Sequence, residues 1–87
     1  MIENNVKVTD KSGIDVDYAK DISKASADFK STVYLVSGDA IANAKSLLNI
    51  LGAGIKGGAN VKIVCDGEDE TAAMDAVMKI FMEMKEN

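Results

Sequence analysis

The hydrophobic period of this chain switches repeatedly between two and about 3.6, and that alternation limits its fold more than any single motif. Val6 and Val8 alternate with Lys7 and Thr9, which predicts a half-buried strand over residues 2–9. Asp10-Lys11-Ser12-Gly13 then reads as a loop. Tyr18, Ile22, Ala25 and Phe29 fall at steps of four, three and four, so one face of a helix over 16–29 is apolar. Asp15 stands at its N-cap position, and Asp17 lies in its first turn, where the helix dipole favours a carboxylate.

The second half repeats the alternation. Residues 32–36 are rich in β-branched and aromatic side chains, Ser37-Gly38-Asp39 is a hairpin signal, and 40–44 is the returning strand. Ser46 precedes the apolar run Leu47-Leu48-Asn49-Ile50-Leu51, a short helix with serine as its cap. A glycine-rich loop follows, lacking the spacing and the terminal Lys-Ser/Thr of a P-loop. Val61, Ile63 and Cys65 mark a fourth strand that stops at Gly67. Ala73, Val77, Ile80 and Met84 give the face of a last helix over 68–84, with Glu68, Asp69 and Glu70 at its positive end. Phe29, Ile22, Val77 and Ile80 are the expected core between sheet and helices.

The resulting order, β-α-β-β-α-β-α, predicts an α+β open-faced sandwich, a four-stranded, mostly antiparallel sheet covered on one face by three helices. No proline or low-complexity linker divides the chain, so residues 1–87 are expected to form a single domain. Fourteen acidic residues against ten basic ones, a formal charge of −4, disfavour nucleic-acid binding. The lone Cys65 sits in an alternating apolar run and reads as a small buried hydrophobe. Nothing has metal-ligand spacing, and no metal or cofactor is expected. Neither a signal peptide nor an apolar run of membrane-spanning length is visible, so a cytoplasmic location and no membrane association are expected.

This order and these lengths resemble HPr, the histidine-containing phosphocarrier of the bacterial phosphotransferase system, over essentially the whole chain. Val6-Lys7-Val8-Thr9 looks like the family's first strand, and Ser12-Gly13-Ile14 like the lead into its active-site loop. Asn43-Ala44-Lys45-Ser46-Leu47-Leu48 looks like its regulatory-serine segment, with Leu51, Gly54-Ile55 and Gly58-Ala59 following in the family's rhythm. The family's motif Gly-Ile-His-Ala-Arg-Pro-Ala reads Gly13-Ile14-Asp15-Val16-Asp17-Tyr18-Ala19 here. By that resemblance Asp15 occupies the phosphohistidine position, Asp17 the arginine that neutralises the phosphoryl group, and Tyr18 the proline. A carboxylate lacks the imidazole nitrogen, and two carboxylates repel an incoming phosphodonor. The resemblance therefore implies a protein that is not an enzyme and has no catalytic residue.

The serine matching Ser46 is, in Gram-positive relatives, the target of HPr kinase/phosphorylase, and the phosphoprotein binds a transcriptional regulator of catabolite repression. The related Crh subfamily lacks the active histidine and keeps this serine. The resemblance thus implies a regulatory or adaptor protein controlled at Ser46, with Lys45 as a neighbouring countercharge. Partner contacts are expected at Asp15, Asp17, Leu47, Leu48 and Leu51, made with a kinase, a regulator or other phosphotransferase proteins. Two alternatives stand beside it. One is a divergent phosphoryl carrier using Asp15, which calls for a divalent cation that Asp15 and Asp17 are too few to hold. The other is an assembly module, such as a homodimer, with no phosphotransferase role. Asp15 itself has a plainer reading as a helix cap, and a further one as a weak mimic of the phosphorylated state.

Overall fold

The computed structural model describes residues 1–86. Its elements are β1 (Ile2–Lys7), α1 (Val16–Ala27), β2 (Thr32–Ser37), β3 (Ala40–Asn43), α2 (Leu47–Gly52), β4 (Asn60–Asp66) and α3 (Glu70–Met82). The sheet runs β1-β4-β2-β3, and every neighbouring pair is antiparallel. In β4 the period of two places Val61, Ile63 and Cys65 on one face; Val33 pairs with Cys65 and Leu35 with Ile63, so the buried rows coincide. All three helices lay their apolar residues on that face, through Ile22, Ile50 and Val77 among others. The opposite face stays open.

Element ends differ from the periodicity by one or two residues, for local reasons. Val8 leaves β1 but still pairs, donating its N–H to Ala59 O at 2.9 Å and accepting from Gly58 N at 2.7 Å. The first helix closes at its cap Asp28, and Phe29 continues only as a turn onto Ser26 O. Consequently Ala19, Ile22 and Ser26 form its buried stripe, while Tyr18, Ala25 and Phe29 are half-buried on the flank. Phe29 and Ile80 thus lie at the margin of the core, whereas Ile22 and Val77 are at its centre. Ser26 was invisible to a hydrophobic count, and its hydroxyl finds no hydrogen-bond partner among the described residues. Cys65 is buried, and burial pushes its thiol up from the usual range.

The last helix starts at Glu70 because Asp69 turns its carboxylate away from the helix. Asp69 accepts hydrogen bonds from the N–H groups of Lys30 and Ser31, both at 2.9 Å, and from the Ser31 hydroxyl. Glu68 pairs with Lys30 at 3.1 Å, and Glu70 accepts from Gly67 N at 3.1 Å. Asp69 and Glu68 therefore tie the α1–β2 turn to the start of α3, while Glu70 holds the residue that ends β4. The Ser31 hydroxyl, then the Lys30 N–H, holds the Asp69 carboxyl at about 2, below the ordinary 3.8. A lowered folded value means this contribution is complete above the ordinary value and is lost as pH falls from 3.8 through about 2. Asp69→Asn is expected to flatten the pH dependence of stability across that window. Urea denaturation at a series of acid pH values checks it; equal slopes in the two proteins would refute the assignment.

Candidate functional site

The site begins where loop 10–14 meets the start of α1. Gly13 takes a left-handed φ of 74°, and a Cβ there would meet Ile55 O at 2.6 Å, so only glycine lets the two loops touch. Ile14 N then donates to Ile55 O at 3.0 Å, which fixes the entry angle of the chain. Asp15 adopts extended backbone, and its Oδ1 accepts from Tyr18 N at 3.0 Å, as a capping carboxylate does. Asp17 is exposed in the first turn.

Around these two lies a network that periodicity did not reveal. Asp10 is buried, and its Oδ1 accepts from Ser12 N at 3.0 Å and Ser12 Oγ at 2.7 Å. The Tyr18 hydroxyl donates to Asp10 Oδ2 at 2.8 Å. The Asp10 carboxylate beside it raises the phenol above its usual value. Asp10, Ser12, Asp15, Asp17, Tyr18 and Lys85 together line an open cleft of about 360 Å³. Asp10 followed two residues later by Ser12 is a legible Asx-turn pattern, but the link from residue 10 to residue 18 crosses a turn and has no period to betray it. Among the described residues there is no group of three or more carboxylate, cysteine or histidine ligands placed to hold a metal ion.

Ser46 and the leucines lie on α2, which packs against α1 and lines no part of this cleft. Ser46 Oγ accepts from Asn49 N at 3.2 Å and Asn49 Nδ2 at 3.3 Å, as its cap position predicts. Ile50 is the buried residue of α2. Leu47 and Leu51 are half-buried against the core, and Leu48 is 78% exposed. The apolar run therefore divides by helical angle: one residue anchors, two flank, and one faces solvent. The Lys45 ammonium donates to Phe29 O at 2.7 Å, which ties the segment before α2 to the end of α1.

Residues 2–83 match the family model described as PTS HPr component phosphorylation site. The chain belongs to the HPr family. Treponema pallidum phosphocarrier protein HPr is 30% identical over 81 residues, covering 93% of this chain and 92% of that one. The solved histidine-containing phosphocarrier protein of Mycoplasma superposes with a TM-score of 0.92 at 26% identity, over 94% of this chain and 93% of that one. Bacillus subtilis Crh, described as a catabolite repression protein that forms a swapped, intertwined dimer, superposes with a TM-score of 0.75 at 26% identity, over 95% of each chain. The antiparallel sheet with three helices is thus the HPr open-faced sandwich, and HPr is a phosphocarrier rather than an enzyme. This chain has no histidine anywhere in its sequence. No helix among its described residues is long and apolar enough to cross a membrane.

Proposed function

We propose that this HPr-family chain is a regulatory or adaptor protein that transfers no phosphate, acting in the cytoplasm through contacts with other proteins. One observation supports the reading: Asp15, which we align with the family's phosphate-accepting position, caps α1 with its carboxylate beside Asp10 and Asp17 in a chain without histidine. Its contact residues are Asp15 and Asp17 on the α1 side and Leu47, Leu48 and Leu51 on α2, with Leu48 the most exposed of the three leucines. The partners are other phosphotransferase-system proteins, a serine kinase of the HPr kinase/phosphorylase type, or a transcriptional regulator of the catabolite-repression kind. The likeness to Crh supports the last of these and is compatible with a homodimer. Phosphorylation at Ser46 is the control point. A dianion there meets the Asn49 N–H that the hydroxyl already engages.

Incubation with HPr kinase/phosphorylase and ATP tests the control point, read by intact mass and by retention of the adduct in acid. One added phosphate on Ser46, absent from Ser46→Ala, is the expected result. Ser46→Ala is expected to lower stability by ~1 kcal/mol through the lost cap, and Ser46→Asp to keep or slightly raise the melting temperature. Binding to partners recovered with the protein should respond more than stability does. If Ser46→Asp melts the domain, or neither variant alters any recovered interaction, Ser46 is a cap and nothing more.

A further inference from the structure

The sheet face that the helices leave open carries a pattern of its own. Strand register sets two rows across it, with Glu3, Val64 and Tyr34 side by side in one, and Lys62, Val36 and Ile41 in the next. Tyr34 is 38% and Ile41 68% exposed, while Val36 and Val64 are half-buried and stand apart from the helix-side core. Because Val64 pairs with Tyr34 and Val36 with Ile41, the four form one continuous apolar stripe over β4, β2 and β3. The charges around it sort by end. Glu3 and, beyond it, Asp66 lie toward one end of the strands; Lys62 and, one row further, Lys7 lie toward the other. Among the described residues neither Glu3 nor Lys62 has an ionic partner.

We propose that the open face is a self-association surface, on which a second copy of this chain packs sheet to sheet, reversed about a two-fold axis that crosses the strands between the two rows. Charge complementarity selects that occupant. An acidic end and a basic end on one face complement each other only when the partner presents the same face reversed, as an isologous contact does. Sheets stack about 10 Å apart with strands aligned to within about 30°. Tyr34 of each copy then meets Val36 of the other, and Glu3 of each comes beside Lys62 of the other. A two-fold along the strands would instead lay Glu3 against β3, which has no basic residue. A partner of one charge sign would meet half the face with like charge. Four strands at about 4.8 Å spacing and about six residues in length give a face of roughly 400 Å². That keeps the interface below the ~1,200 Å² of a standard one, so the dimer is weak and reversible. Each β1 stays with its own β4, unlike a swapped dimer, and the surfaces of α1 and α2 on the other side remain free for other partners.

The test is sedimentation of the full chain from roughly 10 μM to roughly 1 mM, the range in which a small interface associates, with amide shifts followed by NMR over the same dilution. A monomer–dimer equilibrium is expected, with concentration-dependent shifts at Tyr34, Val36, Ile41 and Val64 and none on α2. Ile41→Lys changes an exposed side chain and should weaken association by roughly tenfold. Glu3→Lys and Lys62→Glu should each weaken self-association, because like charges then meet across the axis. Mixed in equal amounts, those two variants should associate at least as well as the unaltered protein, since each supplies the charge the other lacks. Only contacts between copies predict that rescue at the shifted residues. The amide spectrum of each variant at low concentration confirms that it folds. The proposal is overturned if the unaltered protein stays monomeric at roughly 1 mM, if a dimer persists undiminished in Ile41→Lys, or if the mixture fails to restore the shifts. A dimer that maps to α1 and α2, or that exchanges β1, overturns it equally. None of these results bears on the adaptor reading, which is decided by binding to other proteins.

Discussion

Incubated with the phosphodonor enzymes of a phosphotransferase system, the protein is expected to keep its unmodified mass, where a phosphocarrier would be stoichiometrically phosphorylated. The chain has no imidazole to accept the group. Asp15, at the corresponding position, already has Oδ1 engaged by Tyr18 N. Asp10 and Asp17 share the cleft, and each like charge a few ångströms from an incoming phosphoryl group opposes it by about 1 kcal/mol even in water-like surroundings. Asp15→His with Asp17→Arg restores a nitrogen and reverses one of those charges, and should recover at least partial, acid-labile phosphorylation. Helix α1 loses its capping carboxylate in that variant, at about 1 kcal/mol, which the fold should tolerate. Intact-mass measurement before and after acid treatment decides the matter. A stoichiometric adduct on the unaltered protein would mean that Asp15, or another group, carries phosphate after all.

The largest loss of stability is expected from Ile63→Ala. Ile63 is fully buried on β4, paired with Asn4 on one side and Leu35 on the other, and lies under the helices. Removing its side chain should cost ~2–5 kcal/mol. Against a total of about 5–15 kcal/mol for a domain of this kind, that is enough to leave much of the population unfolded near physiological temperature. Phe29→Ala is expected to cost only about half the ~3–5 kcal/mol of a fully buried phenylalanine, because the ring is half-buried at the end of α1. Chemical denaturation of both variants checks the ranking. A larger loss at Phe29 than at Ile63 would place the core elsewhere.

That ranking marks where the sequence was legible and where it was not. Alternation made the buried row of β4 readable from Val61, Ile63 and Cys65, while β2 was legible from its β-branched and aromatic content and β3 from the Ser37-Gly38-Asp39 turn that joins it to β2. A helix with steps of three and four offers two adjacent stripes, and choosing by hydrophobicity favoured Phe29 over the small, polar Ser26 that the packing buries. Capping was legible at Asp15 and Ser46 because the cap is local: side chain and recipient N–H are three residues apart. The contacts that shape the cleft were not, because they join residue 10 to 18 and residue 9 to 85. Lys45 illustrates the same limit, as its neighbour in sequence is Ser46 but its partner in space is Phe29.

The strand order β1-β4-β2-β3 also governs when this protein can fold. β4 is the last strand in the sequence, yet it lies between β1 and β2, so both neighbours must wait for it. Until residues 60–66 leave the ribosome, the only sheet the nascent chain can form is the β2–β3 hairpin, which is marginal by itself in water. Val6 finds Val61 only by closing a loop that spans most of the chain. Assembly of the full sheet is therefore deferred until β4 is available and then proceeds as one cooperative event. Its non-local pairings place it among the slower folders of its size rather than with helical bundles.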